Sequence, residues 1–158
     1  MKTDTEIARD EPTITMTRVY EAPRTLVWSA MSEARHIRKW WGGRGVVNPI
    51  CEMDVRPGGI WNHVMRFPDG QELRLQFVFL EVVPPERLVW QQADLGSGIG
   101  GLPATHTTVT LDDLGAATRW KMVARFRSIE DRDAALTFGF ARPIESSGDA
   151  LTEYLMTM

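Results

Sequence analysis

From Cys51 to Phe77 the chain largely alternates, with apolar residues at odd positions and polar ones at even positions. A period of two predicts strands with one buried face. Two punctuation marks break the pattern, Pro57-Gly58-Gly59 and Pro68-Asp69-Gly70. Each carries Pro followed two residues later by Gly, the chemistry of a three-residue hairpin loop closed by a G1 bulge. That loop length predicts positive φ at Gly59 and Gly70, and it sets the register. Across the second turn Arg66 faces Glu72, Met65 faces Leu73, His63 faces Leu75 and Trp61 faces Phe77. Across the first, Val55 faces Trp61, Met53 faces His63 and Cys51 faces Met65. One face then collects Cys51, Met53, Val55, Trp61, Met65, Leu73, Leu75 and Phe77, with His63 in its middle. The other collects Asp54, Arg56, Asn62, Arg66, Glu72, Arg74 and Gln76. A two-residue loop at Pro57-Gly58 would set Glu52 and Asp54 beside Trp61, a much worse solution.

The flanking pattern supplies the other elements. Residues 1–12 are polar and end in Pro, which predicts a flexible leader. Thr13–Tyr20 alternates as a strand, with Arg18 on its apolar face, where a cation needs a partner or must snorkel out. Pro23 suits the first turn of a helix whose apolar stripe is Leu26, Val27, Ala30 and Met31. Ser32 is placed to cap a second short helix carrying Ile37, Trp40 and Trp41, stopped by Gly42-Gly43. Further strands are predicted at 46–56, 60–67, 71–83, 87–92, 105–111 and 118–127. In the last, Thr118, Trp120, Met122, Ala124 and Phe126 alternate with charged positions. The Pro84-Pro85 loop leaves open which side Glu81 and Trp90 face. Ser128 caps a C-terminal helical region with Phe140, Ile144, Ser147, Leu151, Tyr154 and Leu155 on one stripe, and Pro143 should kink it or start a second segment.

Composition narrows the classes. With 158 residues, the chain suits one domain, 13–158, that buries roughly 70% of its extended-chain surface. Net charge is -3, without a basic run, which argues against nucleic acid and against an anionic membrane surface. No apolar stretch has the length of a membrane span. The lone Cys51 rules out an internal disulfide and fits a reducing cytoplasm. Six Trp and eight Met are many for such a chain, and both residue types line adaptable apolar surfaces as well as cores.

The words EAPRTLVWSAMSE (21–33), HIRKWWGG (36–43), DVRPGGIW (54–61), PDG (68–70), LEVVPPERLVW (80–90), ATRWKM (117–122) and FRSIEDRDAALTFGF (126–140) resemble the START-like (SRPBCC, helix-grip) superfamily. Within it, the chain resembles the activator-of-heat-shock-protein-90-ATPase homologue family. The resemblance spans almost the whole chain, and its words are turns, caps and core positions, not a catalytic signature. It implies an α+β helix-grip fold: a curved antiparallel sheet of about six to seven strands around a long C-terminal helix, with two short helices after the first strand. It also implies a cavity between sheet and helix. Related branches bind apolar small molecules, cyclise polyketides or stimulate a chaperone's ATPase. Pro143 departs from the usual pattern.

Candidate chemistry is sparse. Gly96–Gly101 satisfies G-x-G-x-x-G, but a strand follows instead of a helix, so no dipole is available for a pyrophosphate and a loop at the cavity rim is expected. His36, His63 and His106 have no metal-ligand spacing with one another or with Cys51. His36 is expected on a surface helix and His106 on the outer face. His63 is the inward titratable group, able to donate to a ligand carbonyl or to act as an acid–base. No inward carboxylate clearly orients it. Trp40 and Trp41 cannot pack alike at adjacent helical positions, so one should face cavity or solvent. The expectation is a cofactor-free protein binding an apolar, aromatic or lipid-like molecule among Trp41, Met53, Trp61, His63, Met65, Phe77, Trp120, Met122 and Phe138. A cyclase or hydrolase using His63 is the second reading, and a chaperone-stimulating module the third. The sequence is compatible with a homodimer and with a chaperone partner without pointing to either.

Overall fold

A computed structural model describes residues 3–92 and 104–158. The elements run β1 (Asp4–Ile7), β2 (Thr13–Tyr20), α1 (Arg24–Ser32), α2 (Ala34–Trp40), β3 (Val47–Met53), β4 (Ile60–Arg66), β5 (Glu72–Val83), β6 (Arg87–Gln92), β7 (His106–Asp113), β8 (Thr118–Arg125), α3 (Ile129–Phe138) and α4 (Ala141–Leu155). The strands form one antiparallel sheet in the order β1-β2-β8-β7-β6-β5-β4-β3. The sheet is curved, and its apolar face joins the helices in one core, the helix-grip architecture implied by the resemblance. It has eight strands, one more than expected, so the two short helices follow the second strand.

The extra strand comes from the leader. Asp4–Ile7 pairs with Thr17–Ile14 along the sheet edge, and all four side chains are exposed. Pairing through the backbone leaves no apolar periodicity in the sequence. Buried Arg132 on α3 fastens the segment after it by donating to the carbonyls of Ala8 and, at 2.7 Å, Glu11.

The second hairpin has the expected register, Arg66 opposite Glu72 through Trp61 opposite Phe77. Gly70 lies at φ +90°. The first hairpin differs. Met53 faces Trp61 and Cys51 faces His63, a slip of two residues from the expected pairs. Gly58, not Gly59, has positive φ, at +82°, and the Gly59 amide donates to the Arg56 carbonyl at 2.8 Å. That is a type II turn with Pro57 and Gly58 at its centre. The loop is recruited by β5: Gly58 N donates to Phe79 O at 2.7 Å, and Phe79 N to Gly59 O at 2.9 Å. A Cβ on Gly59 would lie 1.9 Å from the Asp54 carbonyl oxygen, so glycine is required there for space. A slip of two preserves the pleat, and the inner face keeps its residues. Strands β7 and β8 pair Leu111 with Trp120 and Val109 with Met122, all on the inner face.

The helices follow the stripes with one exception. Glu33, not Ser32, precedes α2, and the Ser32 hydroxyl instead donates back to the Trp28 carbonyl at 2.6 Å. Ser128 caps α3, accepting from Asp131 N at 3.0 Å. Gly139 at φ +102° ends α3 and α4 begins at Ala141. Pro143 therefore sits in the first turn of a new helix, where a missing N–H has no intrahelical partner to lose.

Candidate functional site

The inner face of the sheet divides into a packed half and a hollow half. In the packed half Trp61, 1% exposed, meets the rings of Phe77 at 4.6 Å, Trp41 at 5.0 Å, Trp90 at 5.6 Å and Phe79 at 6.0 Å. These are ordinary aromatic-pair separations.

His63 is threaded through this cluster. Trp61 Nε1 donates to His63 Nδ1 at 3.1 Å. An indole N–H is a donor only, so Nδ1 carries no proton and Nε2–H faces Asn48 Oδ1 at 2.7 Å. Asn48 Nδ2 then donates to the carbonyls of Arg38 at 3.1 Å and Trp41 at 3.0 Å. Both imidazole nitrogens are consumed in a relay that fastens the end of α2 to the sheet. Burial, reinforced by the Arg38 charge, lowers the His63 pKa to about 4. The imidazole is neutral and enclosed, with both ring nitrogens engaged inside the protein. Cys51 across the pair is likewise enclosed, and burial pushes its thiol up to about 11.

Beyond this cluster lies a cavity of about 330 Å³ between the sheet and α4. The sheet contributes Met65, Leu73, Leu75 and Phe77 from β4–β5, Trp90 and Gln92 from β6, Thr107 and Val109 from β7, and Trp120 and Met122 from β8. The helical side contributes Met31, Trp40, Trp41, Phe138, Phe140, Ile144, Ser147 and Leu151. Tyr20 closes the β2 end. Among the expected residues, Trp41, Met65, Phe77, Trp120, Met122 and Phe138 are in this wall. Met53, Trp61 and His63 are not; Trp61 and His63 form the layer behind Trp41. Phe138 is 60% exposed, so it sits where the cavity meets the surface.

Several wall residues escaped the pattern. Trp90 turns inward because a bulge in β5 shifts the pairing between Phe79 and Glu81. The same bulge leaves Glu81 exposed, 3.4 Å from Arg87. Tyr20 was legible as an apolar-face strand residue, but nothing in the sequence set it beside α4. Both tryptophans of the pair reach the cavity. Trp40 is buried with Nε1 donating to Ala30 O at 3.0 Å, while half-buried Trp41 leans on Trp61 and His63. His36 is not on an open surface: its side chain is 12% exposed and Nδ1 lies 2.6 Å from the Tyr154 hydroxyl.

The chemistry of the wall is that of a container. Among the described lining residues there is no Asp, Glu, Lys, Arg, His or Cys. Tyr20 is the titratable one, and burial holds its pKa above the usual phenol range. Among the described residues no three His, Cys, Asp or Glu side chains gather where a metal ion could be held. The G-x-G-x-x-G stretch at 96–101 lies outside the described residues.

A family profile described as Activator of Hsp90 ATPase homolog 1-like protein matches residues 21–156. The chain belongs to this family. Solved structures similar to this family member include a Nitrosomonas europaea protein, 24% identical with TM-score 0.82, covering 96% of this chain and 97% of its own. A Mycobacterium smegmatis protein is 23% identical with TM-score 0.87, covering 99% of each chain. An Arthrobacter aurescens protein is 22% identical with TM-score 0.88, covering 98% of this chain and 92% of its own. These likenesses show the shared fold. A comparison with curated proteins found no match. Among the described residues no helix is long and apolar enough to cross a membrane.

Proposed function

We propose that the protein binds an apolar small molecule in the cavity between the sheet and α4, without a cofactor, in the cytoplasm. The observation that carries this reading is the wall itself: a space of about 330 Å³ lined by aromatic, Met and aliphatic side chains with a few hydroxyl and amide groups. Ligand pockets are of this make-up and begin at about this size. An apolar guest gains ~25 cal/mol for each Å² it buries, and the few polar groups set its orientation. The single, buried cysteine supports a reducing compartment. The acid–base reading of His63 loses its support, since both ring nitrogens are engaged and the residue is outside the cavity wall. A chaperone-stimulating role rests on the family description alone.

The test is titration with N-phenyl-1-naphthylamine, a neutral apolar fluorophore, together with mass spectrometry of small molecules released from the purified protein. Saturable binding is expected, and Met122→Trp, which fills the cavity, is expected to abolish it while the variant still melts cooperatively. Unsaturable binding to the native protein, or equal binding to the filled variant, would overturn the reading.

A further inference from the structure

Where the cavity reaches the surface, its cover is tied to a segment that forms no part of the wall. Among the described wall residues the exposed ones are Phe138 and Gly139, at the corner where α3 meets α4. Gly139 lies at φ +102°, and nothing comes within 4 Å of the place a Cβ would occupy. Such a small, unhindered junction can absorb a change in backbone direction. The position of the corner is therefore set by what anchors the two helices.

Each helix is anchored through a buried arginine, and both arginines hold residues 3–12. Among the described residues, the side-chain hydrogen bonds that α3 sends beyond itself and its cap go to this segment alone. They are those of Arg132 Nη1 to the Ala8 carbonyl and, at 2.7 Å, to the Glu11 carbonyl. On α4 the anchor is Arg18 of β2, which holds Asp149 at 3.0 Å and Thr152 at 3.0 Å, and Thr3 at 3.1 Å. A Cβ on Gly148 would lie 3.0 Å from Arg18 Nη1 and 3.2 Å from Thr3 Oγ1, so both residues press on the α4 backbone. The segment itself is lightly held. β1 pairs with β2 over four residues at the sheet edge, and all four side chains are exposed. The exposed Glu11–Arg125 contact at 3.8 Å adds little. Edge segments that bury so little open at the low end of a protein's stability range.

We propose that residues 3–12 form a strap whose release opens the cavity. With β1 off the sheet edge, Arg132 loses both carbonyls and Arg18 loses Thr3, and the α3–α4 corner swings away from the mouth to admit ligand. The inference rests on the binding reading above and adds the control of access to it. No residue of the strap lines the cavity, so its influence runs through the two helices.

The experiment uses the full chain. Arg132→Met keeps an apolar stem in place and removes the donors to Ala8 and Glu11. Without ligand it is expected to speed amide hydrogen exchange about tenfold across 3–12 and α3 together, and to leave β4 and β5 unchanged. In stopped-flow mixing with N-phenyl-1-naphthylamine, association and dissociation should both quicken about tenfold, with Kd within about twofold of native. Saturating the native chain with that fluorophore should slow exchange across 3–12, an effect that a merely structural arginine would not produce. Glu6→Cys with Thr15→Cys, directly paired positions, staples the strap when oxidised, and buried Cys51 stays out of the exchange. Association should then slow about tenfold and recover on reduction. The staple carries the test should Arg132→Met fail to fold. Unchanged association in either chain, or strap exchange indifferent to bound fluorophore, would overturn the strap while leaving the binding reading intact. If the fluorophore does not bind the native chain, the binding reading falls and this proposal with it.

Discussion

The two halves of the inner face are made of the same residue types and have opposite finish. Around Trp61 every ring touches another, and the one imidazole has a partner on each nitrogen. Around Trp120 the wall borders a void, and a buried indole N–H has no partner among the described residues. Both regions read as apolar faces of strands. What separates them is packing and satisfaction: the first has its rings in contact and both imidazole nitrogens bonded, while the second borders a void and leaves an indole N–H unpaired. A polar group inside a core is therefore a poor guide to function until its hydrogen bonds are counted.

The largest expected effect falls on the packed half. Trp61→Ala should cost about 3–5 kcal/mol, and Trp120→Ala at least about 1 kcal/mol less, because the cavity already removes contacts from one side of that ring. Urea unfolding of both variants checks this, and equal losses would break the comparison. Next comes His63→Phe, which strands the Trp61 N–H and the Asn48 carbonyl oxygen together. It should cost about 2–4 kcal/mol by the same measurement.

The relay also has a pH signature. His63 titrates at about 4 folded against the ordinary 6.5, so between those values the unfolded chain holds the extra proton. Stability from this group is thus fully present above pH 6.5 and is lost as pH falls toward 4. Its contribution is about 1.4 kcal/mol per pH unit, about 3 kcal/mol in all. His63→Phe should flatten the native slope by that amount. An unchanged slope would mean the imidazole is not enclosed. Smallest of all is Phe138→Ser at the exposed edge of the cavity, expected to shift stability by less than about 0.5 kcal/mol. A larger loss would make Phe138 core and not rim.

Much of this architecture was legible in the sequence, and what was lost had specific causes. Alternation named the inner face correctly even where the first hairpin slipped, because a slip of two leaves every side chain on its side. The slip itself came from Phe79, a partner far along the chain that claims the backbone of Gly58 and Gly59. Strand β1 carries no apolar pattern because its side chains bury nothing. The candidate wall was legible by face but not by depth. Cys51, Met53, Trp61 and His63 share a face with Met65 and Phe77, and only the approach of Trp41 and Asn48 decides which of them the cavity reaches. The orphan at Trp120 could not be read either, since the absence of a partner is a property of packing.

The most direct test of the hollow half uses the protein's own methionines. In a sample labelled with ¹³C at the methionine methyls, saturating N-phenyl-1-naphthylamine should shift Met31, Met65 and Met122, which line the cavity. Met53, paired with Trp61 and outside the cavity wall, should stay within the scatter of the ligand-free spectrum. Shifts confined to the exposed Met156 and Met158, or a shift at Met53 equal to that at Met122, would contradict the division between a solid half and a binding half.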